Sequence, residues 1–123
     1  MKIVTVTEVG KKAELIEGPM PEIDAKSVLI KTHFSGVSIG TEMWVATGKR
    51  LEGRTVPFPA AGYQLTGEVV GWGDQVTGFE KGEPVVAFAS PSHAQYVKAN
   101  PDYVHKLARP EAARSCALFV MPA

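Results

Sequence analysis

Between Gly67 and Val85 the chain reads GEVVGWGDQVTGFEKGEPV, with valines at 69, 70, 76 and 85 set among glycines at 67, 73, 78 and 82. Tight corners between short strands need positive φ or a close backbone approach, and glycine supplies both. The stretch therefore predicts a β fold with sharp corners, and its surroundings agree. Residues 2–7 are β-branched or alternating and are closed by Gly10; residues 13–16 make a hairpin partner. Gly18, Pro19 and Pro21 then force an irregular connection, because proline lacks the amide that a central strand donates. Residues 27–34 alternate, with Val28, Ile30, Thr32 and Phe34 on one face and Leu29, Lys31 and His33 on the other. Residues 65–70, 85–89, 94–98 and 102–107 read as further short strands, the last two split by Asn100–Pro101.

Helices are few. Met43, Trp44 and Val45, with Gly48 just beyond, predict a two-turn helix over 40–47 ended by a glycine. The glycine- and proline-rich run LEGRTVPFPAAG is a loop by composition. Residues 110–121 read as a helix with proline in its first turn. The expected fold is mainly β, a partly open barrel with short helices and a C-terminal linking helix.

A chain of 123 residues suits one domain and one core. Lysine plus arginine equals aspartate plus glutamate at 13 each, so no basic excess argues for a nucleic-acid partner. The single cysteine, Cys116, can form neither an internal disulfide nor a cysteine zinc cage, and a cytoplasmic setting is the expectation. MKIVTVTEVG has no apolar core of the signal-peptide kind, and no apolar run reaches the ~18 residues a membrane span needs.

The 67–85 stretch resembles the strand, glycine turn, hydrophobic loop and GD-x-V corner of one family. This is the medium-chain dehydrogenase/reductase family of zinc-type alcohol dehydrogenase-like enzymes, in its N-terminal GroES-like catalytic domain. Three more segments support the resemblance in the right order. Residues 28–36 resemble the strand leading to SGVC, HAQYV at 93–97 resembles G-x-F-A-E-Y-V, and 103–119 resemble the V-x-K-L-P … A-A-x-L run into the linking helix. The resemblance covers almost the whole chain and implies a GroES-like barrel.

Zinc-dependent relatives carry a cysteine after SGV and a later G-H-E motif, whose side chains hold a metal that polarises the substrate oxygen. Here the first region reads Ser35-Gly36-Val37-Ser38-Ile39-Gly40-Thr41-Glu42, which puts Ser38 or Ile39 in the place of the cysteine. The second reads Gly62-Tyr63-Gln64, and the four-cysteine structural lobe is absent between Phe88 and His93. Zinc is therefore not expected, and His33, His93 and His105 are expected to be half-buried or surface histidines. Ser38-x-Gly40-Thr41-Glu42 is similar to the S-R-G-T-E of a zinc-lacking branch of the family.

The resemblance also names candidate site residues. Thr41 matches the hydroxyl residue that relays the substrate proton, a role a hydroxyl keeps without a metal; its other role would be a helix N-cap. Tyr63 would place a phenol where zinc lies, able to hydrogen-bond a carbonyl oxygen or an alkoxide, or would simply fill the vacated space. Ser38, Trp44 and Gln64 are the candidate substrate-binding residues, with the core the other destination for Trp44. Glu42 is expected to be structural.

The implied activity is hydride transfer between NAD or NADP and a carbonyl, alcohol or activated alkene. The cofactor would be held by a Rossmann domain or partner subunit. Gly71-Trp-Gly73 lacks the third glycine and the following helix of a dinucleotide fingerprint, so it is expected to be a barrel corner. The chain alone is expected to be inactive, to bind neither cofactor nor zinc, and to self-associate through Ala112, Ala113, Ala117, Leu118, Phe119 and Val120. The other reading is a stand-alone barrel that serves as a binding or protein-interaction module without catalysis.

Overall fold

The computed structural model describes residues 1–6, 13–46 and 62–118, with side chains excepted at 44–46. The chain folds as two open antiparallel sheets. Strands β1 (Lys2–Val6) and β2 (Ala13–Glu17) form the expected hairpin, Lys2 opposite Glu17 and Val6 opposite Ala13. The remaining strands are β3 (Val28–Ser35), β4 (Gln64–Trp72), β5 (Pro84–Phe88), β6 (Tyr96–Ala99) and β7 (Val104–Lys106). They make a five-stranded sheet in the order β6-β3-β4-β5-β7. Pro84 opens β5, where its missing amide costs the ladder least. The hairpin docks on the segment before β6: Ile3 bridges Ala94, the Val4 amide donates to the His93 carbonyl at 2.9 Å, and the Gln95 amide donates to Lys2 at 3.1 Å.

The core is the inward face of this sheet. Val28, Ile30, Leu65, Val69, Val85, Ala87, Val97, Ala99 and Val104 are buried together. Their burial, roughly 1.5–3 kcal/mol for each larger side chain, holds the strands in register. Val28, Ile30 and Thr32 follow the period-two pattern expected of β3. Phe34 does not, and lies 44% exposed. The cause is an irregularity in the ladder: Thr32 pairs with Gly67 and Phe34 with Thr66, so His33 is the extra residue of a bulge. A one-residue slip exchanges the faces, sending Phe34 outward and Ser35 inward.

The Gly71-Trp-Gly73 corner closes β4 against the lead-in to β3. Gly73 presses on the backbone of Asp24 and Ala25, leaving no room for a Cβ. Its amide donates to Ser27 O at 2.9 Å, and that of Gln75 to Ala25 O at 2.9 Å, so these donors serve the corner. The segment expected as strand 102–107 begins in a 3₁₀ turn, and its strand is shorter than expected. The Asn100 side chain accepts from the Asp102 amide and sets a 3₁₀ turn at Pro101–Tyr103 before β7 begins.

Helix α1 (Ile39–Ala46) stands where a helix over 40–47 is expected; the glycine expected to end it, Gly48, lies outside the described residues. The linking helix is more broken than expected. A 3₁₀ turn at Pro110–Ala112 runs into a single α turn, α2 (Ala113–Cys116), with residues 119–121 outside the described range. Thr66 Oγ1 donates to Ala113 O at 2.8 Å, and Ala117 is buried, so this part folds back on β4 and leaves Leu118 exposed. Among the described residues no helix is long and apolar enough to cross a membrane.

Candidate active site

The bulge at His33 delivers Ser35 to the interior end of β3. Gly36 follows, packed so closely that a Cβ there would meet the Ala117 carbonyl and the Gln64 side chain; its amide donates to Gln64 O at 3.1 Å. The chain then turns into α1. The Glu42 amide donates to Ser38 O at 2.9 Å, which makes Ser38 the capping position and puts Thr41 inside the first turn. The N-cap role considered for Thr41 therefore falls to Ser38. Thr41 itself is half-buried.

Glu42 is the hub of this region. One carboxylate oxygen accepts from the Ser38 amide, in the manner of a capping box. The other lies 2.5 Å from His93 Nε2, and both side chains are 11% exposed. On its far side, His93 Nδ1 lies 2.7 Å from Ser35 Oγ. With Nε2–H donating to the carboxylate, Nδ1 accepts the Ser35 hydroxyl proton, so both ring nitrogens of His93 and both carboxylate oxygens of Glu42 have partners. A carboxylate this deep persists only when so paired. Glu42 thus takes the structural place expected of it. The connection to its partner was not legible: His93 is 51 residues away, and neither residue's surroundings in sequence mark it. The other two histidines are exposed, and His33 pairs with Glu68 at 3.3 Å.

Gly62 borders this network from the other side. It has φ +99°, and any side chain there would overlap the Ser92 hydroxyl and the His93 ring. Tyr63 comes next. Its ring packs on Phe88, centroids 5.7 Å apart, and Phe88 packs on Tyr103 at 6.0 Å. Phe88 and Tyr103 are exposed, which makes an aromatic strip that ends at a buried phenol. Among the described residues the Tyr63 hydroxyl has no hydrogen-bond partner, and neither does Gln64 Oε1, although Gln64 is almost fully buried. The structure thus brings Ser38 together with Glu42 and His93, and places Tyr63 beside Gly62 at their border. It does not join Thr41 to the Tyr63 hydroxyl. The Trp44 side chain lies outside the described set.

Concavities lined by described residues flank the sheet. One, of about 500 Å³, is lined by Leu15, Thr32, Ser35, Val37 and His93 among others. The larger groove, about 970 Å³, includes Asp24, Gln75, Lys98 and Asn100 and none of the site residues above. There the Lys98 ammonium, followed by the Ser27 hydroxyl and the Lys26 amide, holds the Asp24 carboxyl well below the usual carboxylate range.

Residues 24–109 match the family of the alcohol dehydrogenase GroES-like domain, and the chain belongs to it as an N-terminal domain of the medium-chain dehydrogenase/reductase kind. It is similar to L-threonine 3-dehydrogenase of Alteromonas mediterranea, 34% identical over 86 residues that make up 69% of this chain and 25% of the relative. Among solved structures it is similar to the human synaptic vesicle membrane protein VAT-1 homolog-like protein (TM-score 0.89, 26% identity, 98% of this chain and 40% of that one). It is also similar to a mycobacterial protein solved with NADPH (TM-score 0.80, 26% identity, 96% and 38%). The chain thus spans about a quarter of the length of the curated relative.

The zinc of the metal-dependent relatives can be tested against the residues present. Its ligand positions hold Ser38 or Ile39, which is 76% exposed, together with Tyr63 and Gln64. None is a thiolate, imidazole or carboxylate. His93 and Glu42 spend their donor atoms on each other, and among the described residues no group of three or more His, Cys, Asp or Glu side chains converges. This donor set does not fit a zinc of the family type.

Proposed function

We propose that this chain forms the substrate-side wall of an NAD(P)-dependent oxidoreductase that works without zinc. The nicotinamide cofactor is brought by a second, Rossmann-type domain or subunit, and hydride passes between it and a carbonyl, alcohol or activated alkene. Membership in the family and likeness to a protein solved with NADPH support the reaction class. In this reading the Tyr63 phenol holds the substrate oxygen where relatives use a metal. Thr41 exchanges the substrate proton. Ser38, Trp44 and Gln64 line the approach.

The observation that carries the proposal is the Tyr63 hydroxyl. It is buried and has no partner among the described residues, a condition that costs about 1–3 kcal/mol and that an arriving substrate oxygen would relieve. The Phe88–Tyr103 strip beside it, its rings tilted to one another, offers apolar aromatic surface to an aromatic or conjugated substrate.

The test is made on the chain joined to a nicotinamide-binding domain, with reduced cofactor and a panel of quinones, enones and aldehydes. Oxidation of the cofactor that persists after chelation and dialysis supports the reading. Turnover that appears only when zinc is restored overturns it.

A further inference from the structure

Helix α1 carries Ser38 and Thr41 at its start, and Ile39 in its first turn is exposed. A two-turn helix of this length does not hold itself in place. What holds its first turn is polar: the Glu42 carboxylate, clamped between the Ser38 amide and His93. His93 is in turn fixed from three directions. Ser35 binds its Nδ1, Gly62 closes over its ring, and its own carbonyl accepts from Val4 in the β1–β2 hairpin at 2.9 Å.

We propose that His93 is a positioning residue. Acting through Glu42, it latches the first turn of α1 to the end of β3 and holds the Thr41 hydroxyl in one orientation. Its bearing on catalysis rests on the reading of Thr41 given above; the latch itself does not. The imidazole suits the task because it is rigid and bifunctional. One nitrogen faces the carboxylate and the other the Ser35 hydroxyl, so the ring cannot rotate without breaking both contacts. Ser35 reaches it only because the His33 bulge turns that residue inward.

The test is amide hydrogen exchange by NMR on the full chain, together with three-bond couplings that report the Thr41 χ1 rotamer. The variants are Glu42→Gln, His93→Ala and His93→Gln. Removing a buried charge-assisted bond is expected to speed exchange at the Glu42 amide by about ten- to hundredfold relative to the Val69 amide of β4. His93→Ala is expected to average the Thr41 couplings, and His93→Gln, which keeps one donor and one acceptor, to restore much of both. Unchanged exchange at Glu42, or loss of protection at Val69 to the same degree, would overturn the latch. So would His93→Ala couplings equal to those of the parent. None of these readouts needs turnover, so failure of the oxidoreductase reading would leave the result standing.

Discussion

A methyl group on Gly62 would stand 2.7 Å from Nε2 of His93, the atom that holds Glu42. The backbone at Gly62, with φ +99°, is also one that side chains with a Cβ disfavour by roughly 1–2 kcal/mol. Gly62→Ala combines that strain with overpacking, itself about 1–3 kcal/mol. The expected loss is about 2–5 kcal/mol, read from urea denaturation. A loss below about 0.5 kcal/mol, the range of ordinary surface changes, would contradict the close packing described here.

Asp24 gives a pH signature. Its carboxyl is held below the ordinary value of 3.8, first by Lys98 and then by Ser27 and the Lys26 amide. A depressed folded pKa adds stability that is present above the unfolded value and fades as pH falls through the folded one. Asp24→Asn is therefore expected to lower the melting temperature at neutral pH, modestly because the pair is exposed, and to lose that effect in strong acid. A difference that stays constant with pH would count against the assignment.

Leu118, Val37 and Ile39 are exposed apolar side chains at 52%, 59% and 76%, and Gly36 packs between Leu118 and the start of that loop. Covering such a surface gains about 25 cal/mol per Å². The chain by itself is expected to self-associate, and Leu118→Lys with Ile39→Lys to return it toward the monomer. Sedimentation velocity at high concentration reads both; a monomer that the substitutions leave unaltered would show that this face needs no cover.

How far the sequence revealed these relationships depends on their range. Val28, Ile30 and Thr32 alternate because each residue's face is a local property of an extended chain, and the glycine corner at 71–73 was legible for the same reason. Phe34 broke the pattern because a bulge is set by the partner strand, here by how Gly67 and Thr66 meet β3. The linking helix looked continuous in its apolar pattern. Its described part is a 3₁₀ turn followed by one α turn, anchored where Thr66 binds Ala113 O. At the site, Ser38, Thr41, Tyr63 and Gln64 stood out through the family's motifs. His93 did not, because its role is created by Ser35 and Glu42, 58 and 51 residues away, which only the folded sheet brings to it.

Tyr63 tests the central claim most directly. Tyr63→Phe removes a buried hydroxyl that has no partner among the described residues, so the folded chain is expected to be as stable as its parent or up to about 1–2 kcal/mol more stable. In the chain joined to a nicotinamide-binding domain, the same substitution removes the donor proposed for the substrate oxygen. The measurement is the turnover rate of Tyr63→Phe against the parent, both freed of metal by chelation. A fall of about 10²–10³-fold is expected, as for loss of one oxyanion donor. A Tyr63→Phe enzyme that turns over at the parental rate would show that the phenol merely fills space and that the substrate oxygen is held elsewhere.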